Sequence, residues 1–181
     1  MIECPGMFRF AAPPMTGAGW FLDVLGSTNI PCLGDGSNAH VPFVGESDGH
    51  LLQLSLVRNP ACWLALCHLT LRGHSPDASV DGLDEFVGLD TRSLESFFHD
   101  YLTRRAGAIT RLFNVYVADT VIRIEDMPYA LLELMWSLNV PRTMLQDIVF
   151  PNLPVQPVVQ PWLHEQLRYT DGELFERYDY W

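Results

Sequence analysis

Two segments of the sequence carry residue types that suit the binding of phosphate groups. The first, Pro14-Met15-Thr16-Gly17-Ala18-Gly19-Trp20, is small, contains glycine and follows a short apolar run. Its backbone N–H groups and the start of a following helix would point at one spot, which favours an anion. The second is Arg58, whose guanidinium can bind a phosphate through two parallel N–H donors. Together they predict a receptor for a ligand with two separated phosphates.

The elements that must position these residues are strands that run directly into helices. Residues 6–13 are typical of a short strand ended by two prolines, and a helix is expected to begin near Trp20. Arg58 ends the nearly continuous apolar run 51–57, which is typical of a buried strand, and Pro60 suits the first turn of a helix to about Leu71.

A third strand-to-helix junction follows at residues 120–124 and 129–138, where β-branched residues give way to a helical pattern. Strands that alternate with helices predict an α/β, three-layer fold with a central, mainly parallel sheet flanked by helices. In such folds ligands bind at the carboxyl ends of the strands, so the Pro14–Trp20 loop and Arg58 are expected on one rim.

The rest of the chain is expected to form helices and three irregular segments. The irregular segments are a loop-rich connection with one or two brief strands, a surface loop or lid, and an extended proline-rich segment, at residues 26–50, 72–90 and 148–161. Helical patterns cover 91–105, 108–116 and the short piece 162–169. Near the C-terminus we expect the acidic residues to form a solvated face: Asp171, Glu173, Glu176 and Asp179.

Composition excludes several kinds of mechanism. The 181 residues are expected to form a single domain, 1–181, and its 11 basic residues are all arginine, which excludes chemistry that needs a lysine. Against 22 acidic residues the net charge is -11, which disfavours nucleic acid and anionic membranes as partners. An anionic ligand must therefore be held by local donors.

The cysteines and the N-terminal residues indicate in which cellular compartment the protein is expected. No apolar run reaches the roughly 20 residues of a transmembrane helix, and the first residues lack the positive flank of a signal peptide. We therefore expect a soluble, cytoplasmic protein whose four cysteines are reduced thiols. Cys62, Cys67 and His68 do not match a common zinc spacing, so no metal site is expected.

Three motifs resemble those of the sulfotransferase family, in order and in approximate spacing. Pro14–Trp20 resembles the family's donor loop, Pro-Lys/Arg-Thr-Gly-Thr/Ser-Thr-Trp, and Val57-Arg58-Asn59-Pro60 resembles its second motif. Ile122-Arg123-Ile124-Glu125-Asp126-Met127 is similar to its late strand-to-helix segment, and Arg177-Tyr178-Asp179-Tyr180 to a frequent family ending. The resemblance spans nearly the whole chain.

The resemblance implies a P-loop-like fold that binds 3′-phosphoadenosine 5′-phosphosulfate. It would transfer the sulfuryl group to a hydroxyl or amine of a small-molecule or glycan acceptor. The residues it assigns to the co-substrate are Met15, Thr16, Gly17, Ala18, Gly19 and Trp20, with Arg58 on the 3′-phosphate. His40-Val41-Pro42 resembles the family triplet whose histidine takes the acceptor's proton, with His50 and Glu46 as reserve candidates.

The sequence also departs from the family pattern. Met15 stands where the donor loop has Lys or Arg, Gly19 replaces a hydroxyl residue, and Leu66 replaces the serine eight residues after the motif arginine. Transfer would be slow unless Arg9 or Arg123 supplies the missing cation, and for Arg123 an ion pair with a nearby carboxylate is the favoured role. The alternatives are a catalytically degenerate module that binds a nucleotide or a protein, and a small P-loop kinase, which the lack of lysine disfavours.

Overall fold

The computed structural model describes residues 1–43, 51–75, 79–154 and 156–180. The chain forms two compact units. The first contains Met1–Val57 and Val115–Val155, and the second contains Arg58–Asn114 and Gln156–Trp181.

The first unit is built on a four-stranded sheet in the order β1 (Ile2–Cys4), β2 (Phe8–Phe10), β3 (Leu52–Val57) and β4 (Thr120–Arg123). β1 pairs antiparallel with β2, whereas β2, β3 and β4 run parallel to one another. The sheet is open and mostly parallel and is flanked by helices, which confirms the α/β class.

The described residues contain helices α1 (Ala18–Gly26), α2 (Pro60–Leu71), α3 (Leu94–Arg104), α4 (Ala108–Asn114), α5 (Tyr129–Ser137) and α6 (Pro161–Arg177). Each of the three strand-to-helix junctions expected from the sequence is present: β2 to α1, β3 to α2 and β4 to α5. None of these helices combines the length and the apolar composition needed to cross a membrane.

The core of the first unit lies between the sheet and helices α1 and α5. Phe10 packs on Phe21 of α1 with ring centroids 4.4 Å apart, and Leu54 and Leu131 are fully buried in the same cluster. Alternate strand residues supply this face, because side chains in a strand point to opposite sides in turn. The burial fixes β2 and α1 against each other, and therefore fixes the loop that joins them.

Aromatic side chains form the core of the second unit, which holds α2, α3, α4 and α6. The Trp63 ring of α2 meets Phe86 at 5.0 Å and Phe113 at 5.9 Å, both edge-on. Phe86 in turn stacks on Tyr101 of α3 at 6.0 Å. Aromatic pairs of this kind add to the stabilisation by burial alone, so α2 is firmly held among its neighbours.

Asp171 corrects the expectation of a solvated acidic face. It is 1% exposed and sits at a kink in α6, where its φ and ψ are not helical. Its carboxylate accepts hydrogen bonds from the Tyr101 hydroxyl at 2.7 Å and from N and Oγ1 of Thr110 at 3.0 and 2.8 Å. Burial, with the nearby carboxylate, raises the pKa of Tyr101. Asp171 therefore joins α3, α4 and α6, while Glu173, Glu176 and Asp179 are exposed.

The expectation of four reduced cysteines is wrong for one pair. Cys4 and Cys32 form a disulfide, with Cα atoms 4.3 Å apart. The reason is strand β1, which the sequence pattern did not reveal: Glu3 and Leu33 exchange backbone hydrogen bonds at 3.0 and 2.7 Å, so the neighbouring cysteines come together. Cys62 and Cys67 are reduced thiols, as expected.

The irregular segments follow the sequence expectation in part. Of the one or two brief strands expected within residues 26–50, the described part contains a single bridge, from Leu33 to Glu3, and Gly36–His40 is a turn of 3-10 helix. Residues 44–50 are not described. The expected loop or lid 72–90 holds a 3-10 turn at Asp84–Phe86, and residues 76–78 are not described. In the proline-rich segment the described residues up to Gln160 contain no helix or strand, as expected.

Candidate functional site

The loop predicted to bind phosphate leaves the carboxyl end of β2 and enters α1. β2 and β3 are parallel neighbours, with Phe10 opposite Leu54, and the Ala11 N–H extends the pairing by donating to the Leu54 carbonyl at 3.1 Å. The loop therefore starts at the edge where parallel sheets bind ligands.

The turn itself has an unusual backbone. Met15 has a φ of +60° and Gly17 a φ of +97°, with Thr16 between them. The Thr16 hydroxyl donates to the Pro13 carbonyl at 2.7 Å, and the residue is fully buried. Thr16 was predicted to bind the co-substrate, but here its hydroxyl holds the turn closed. A left-handed φ at a residue other than glycine, here Met15, costs on the order of 1 kcal/mol. Such residues are found mainly where the surrounding structure enforces the conformation, often at functional sites.

Gly17 is required by a close approach as well as by its φ. A Cβ built on Gly17 would lie 2.5 Å from Cδ1 of Ile124, the residue that follows β4. By contrast, a Cβ built on Gly19 meets nothing within 4 Å. Ile124 therefore seats the turn against the end of β4, and the two glycines of the motif have different physical roles.

The first turn of α1 offers backbone donors. Its first intrahelical bond runs from the Phe21 N–H to the Gly17 carbonyl at 3.0 Å, so the N–H groups of Ala18, Gly19 and Trp20 precede it. No acidic residue lies in this turn, and Gly19 is exposed. These donors and the positive end of the helix dipole can stabilise an anion, with no lysine in the loop to assist them.

The Trp20 side chain packs against residues 150–151 of the same unit. Its indole N–H donates to the Pro151 carbonyl at 2.8 Å, and its ring stacks on Phe150 at 6.2 Å. Trp20 therefore has only its backbone N–H to offer a ligand, and its side chain anchors residues 150–151.

The ring of His40 contacts the segment that leads from β2 into the loop. The Ala12 carbonyl accepts a hydrogen bond from Nδ1 of the His40 ring at 2.9 Å, and the Ala12 N–H donates to the Ala39 carbonyl at 2.9 Å. A carbonyl can only accept, so Nδ1 carries the proton and Nε2 keeps its lone pair in the neutral ring. Asp35 caps this 3-10 turn through Ser37, whose hydrogen bonds lower the pKa of Asp35.

Tyr116 is a residue of this site that the sequence did not suggest. Its hydroxyl donates to the His40 carbonyl at 2.7 Å, and the side chain is 5% exposed. Burial raises the pKa of Tyr116, so it remains a hydroxyl donor at neutral pH. A lone tyrosine 76 residues away carries no sequence signal for such a contact.

The three arginines that the sequence suggested for the site belong to different units of the chain: Arg58 to the second, and Arg9 and Arg123 to the first. Arg58 is the first residue of the second unit, directly before α2, and is 1% exposed. In the first unit, Arg9 pairs with Glu3 at 3.1 Å and Arg123 pairs with Asp126 at 2.6 Å. The ion-pair role favoured for Arg123 is confirmed.

What the described site can do chemically follows from these parts. It presents a turn whose backbone N–H donors can stabilise an anion. It also presents a histidine that is hydrogen-bonded to Ala12, two residues before the loop, through one of its two ring nitrogens. The reserve candidates His50 and Glu46 lie outside the described residues.

No family model, curated protein or solved structure matches the chain. The sulfotransferase resemblance therefore rests on the sequence motifs alone.

The two glycines give a matched test of the turn. Gly17→Ala should lower the free energy of unfolding by about 2–4 kcal/mol, because it adds a strained φ and displaces Ile124. Gly19→Ala should be neutral or stabilising by up to about 1 kcal/mol, because alanine is the better helix former and its Cβ meets open space. Urea unfolding of both variants measures the difference. Equal effects of the two substitutions would contradict the packing of Ile124 on Gly17.

Proposed function

We propose that this chain is a P-loop-like, three-layer nucleotide-binding protein that holds 3′-phosphoadenosine 5′-phosphosulfate at the β2–α1 loop. It transfers the sulfuryl group to a hydroxyl or amine acceptor. The observation that carries the proposal is the hydrogen bond between the His40 ring and Ala12, at 2.9 Å, because it joins a potential general base to an anion-binding turn.

Binding of the phosphosulfate would use the backbone. The N–H groups of Ala18, Gly19 and Trp20 would donate to the oxygens around the 5′-phosphate, and the helix dipole would add to the attraction. Arg58 as the residue that binds the 3′-phosphate stays a prediction from the motif resemblance. The overall charge of -11 opposes the binding of an anion, so these local donors must outweigh it.

The transfer step would use His40 as a general base. Nε2 of His40 takes the proton of the acceptor O–H or N–H while the acceptor atom forms a bond to sulfur. The bond between sulfur and the bridging oxygen of the 5′-phosphate breaks, and its electron pair leaves with 3′-phosphoadenosine 5′-phosphate. The Nδ1–H bond to Ala12 keeps the ring in the tautomer that this step requires.

Met15 favours a second candidate, a protein that binds the nucleotide without chemistry. A single donor that stabilises the charge on a leaving group is worth about 3–4 kcal/mol, or a factor of 10² to 10³ in rate. The loop lacks the side-chain cation that would supply it, and Arg9 and Arg123 are both paired with carboxylates. Nucleotide binding is common to both candidates, whereas transfer separates them.

Restoring the cation tests the binding loop. Met15→Lys should bind 3′-phosphoadenosine 5′-phosphate about tenfold more tightly than the wild type, because a charged donor is added beside the phosphate. Met15→Gln is the matched control, similar in length and uncharged, and should leave the affinity within about twofold. Titration calorimetry measures both. Equal affinities for Met15→Lys and Met15→Gln would mean that the loop does not face the phosphate.

Removal of the base tests the chemistry. With radiolabelled co-substrate and a panel of hydroxyl, amine and glycan acceptors, His40→Ala should lower the transfer rate by about 10²-fold or more. The nucleotide affinity should be unchanged, because the hydrogen bond of the His40 ring goes to the Ala12 carbonyl, two residues before the loop that would bind the nucleotide. His99→Ala, an exposed histidine of the second unit, should transfer at the wild-type rate. Tight nucleotide binding with no transfer by the wild type would favour the second candidate.

A further inference from the structure

Helix α5 carries apolar side chains on two opposite faces, and only one of these faces lies in the core. Leu131, Leu134 and Met135 are buried in the core of the first unit. Tyr129 and Trp136, by contrast, are 76% and 73% exposed. A helix that is hydrophobic all round is normally covered on all sides, so the second face of α5 requires an explanation.

The exposed residues of α5 form a continuous stripe along the helix. At about 100° per residue, the members of this stripe fall within a sector about 100° wide: Tyr129, Leu132, Glu133 and Trp136. Leu132 is half-buried and Glu133 is exposed. These four residues are named the α5 outer face. It combines two aromatic rings, one aliphatic side chain and one carboxylate.

The composition of the α5 outer face is typical of a surface that binds another protein. Apolar residues that are exposed singly are common and need no explanation, whereas these residues adjoin one another. Tryptophan and tyrosine carry much of the binding energy in protein interfaces. Their rings remove a large apolar area from water while few side-chain torsions become fixed.

Glu133 gives the α5 outer face its charge. The helix Tyr129–Ser137 contains no basic residue, so no side chain three or four residues away on α5 can pair with this carboxylate. The arginine ion pairs among the residues that the structure describes are made with other carboxylates. A cation from another molecule would therefore find this carboxylate accessible, in the middle of an apolar face.

The spacing along the helix puts this carboxylate between the two aromatic residues. With a rise of about 1.5 Å per residue, Glu133 lies about 6 Å along the axis from Tyr129 and about 4.5 Å from Trp136. A cation is attracted by an aromatic ring within about 6 Å of it. A guanidinium suits this arrangement best, because its plane stacks on a ring while its N–H groups donate to carboxylate oxygens.

We propose that the α5 outer face binds another protein through a segment in which an arginine is flanked by apolar residues. The arginine pairs with Glu133 between the two aromatic residues, and the flanking apolar side chains cover Leu132 and the rings. The proposal does not depend on the proposed nucleotide binding, because it uses none of the residues of the β2–α1 loop.

Charge disfavours two other occupants of this face. A second copy of the chain would bring a net charge of -11 towards an equal charge. A symmetric contact of the face with itself would also bring Glu133 close to its counterpart, since a two-fold interface pairs each patch with its own copy. An anionic membrane is repelled by the same net charge. A basic segment is attracted both by the overall charge and by Glu133.

Two peptides that differ in one side chain test the recognition of arginine. The first is the capped peptide Leu-Ser-Leu-Arg-Leu-Ser-Leu, and in the second citrulline, which is similar in shape and uncharged, replaces the arginine. NMR titration of the ¹⁵N-labelled protein, followed at the backbone amides of α5, measures both affinities. The arginine peptide should bind about tenfold more tightly, because only it can pair with the carboxylate and interact with the rings as a cation.

Matched variants separate the α5 outer face from the overall charge. Glu133→Gln should weaken binding of the arginine peptide about fivefold, whereas Glu176→Gln, the same change at an exposed position of α6, should leave it within about twofold. Tyr129→Ala should weaken binding about threefold, whereas Tyr169→Ala, at a tyrosine of α6 that is 86% exposed, should have no effect. All four side chains are exposed, so the variants should unfold at the wild-type urea concentration.

Several results would overturn the proposal. Absence of peptide binding by the wild type, or equal affinities for the arginine and citrulline peptides, would show that the face does not recognise a cation. Equal effects within each matched pair would mean that the overall charge holds the peptide. A dimer in analytical ultracentrifugation that Trp136→Ala dissociates would show that a second copy covers the face. Binding to phosphatidylcholine vesicles that Trp136→Ala abolishes would show that a lipid surface does.

Discussion

The site described here depends on the close approach of Ile124 to Gly17. A glycine without a Cβ lets the turn after β2 sit directly against the residue that follows β4, where any side chain would collide. The positive φ of Gly17 and of Met15 then directs the chain into α1. Since β2, β3 and β4 are parallel, this contact places the first turn of α1 at the edge where such sheets bind ligands.

The same turn determines where the candidate base lies. Ala12, two residues before Pro14, donates its N–H to the Ala39 carbonyl and accepts a hydrogen bond from the His40 ring. These two bonds hold the 3-10 turn that carries His40 beside the segment that leads into the loop. Tyr116 then fixes His40 from its carbonyl side. A base held through its backbone and through Nδ1 has one ring nitrogen left for a proton. Sequence supplied the loop and the histidine, but the contacts between them belong to the fold.

Local signals in the sequence were enough to predict the three strand-to-helix junctions. An apolar run followed by Pro60 predicts the end of β3 and the start of α2, because proline suits the first turn of a helix. In the structure Asn59 caps that helix. Non-local features were not predictable in this way. β1 is three residues long, and its disulfide joins cysteines 28 residues apart. Asp171 looks like a surface residue in sequence, and its burial depends on Tyr101 and Thr110, far away along the chain. The hydrogen bond from the Thr16 hydroxyl to the Pro13 carbonyl was likewise not visible in the sequence.

If the protein binds the nucleotide as proposed, the N–H groups at the start of α1 hold its phosphate groups. NMR of the ¹⁵N-labelled protein, titrated with 3′-phosphoadenosine 5′-phosphate, observes these groups one by one. The amide signals of Ala18, Gly19 and Trp20 should move downfield and saturate together. Saturation of signals elsewhere in the chain, with these three unchanged, would contradict it.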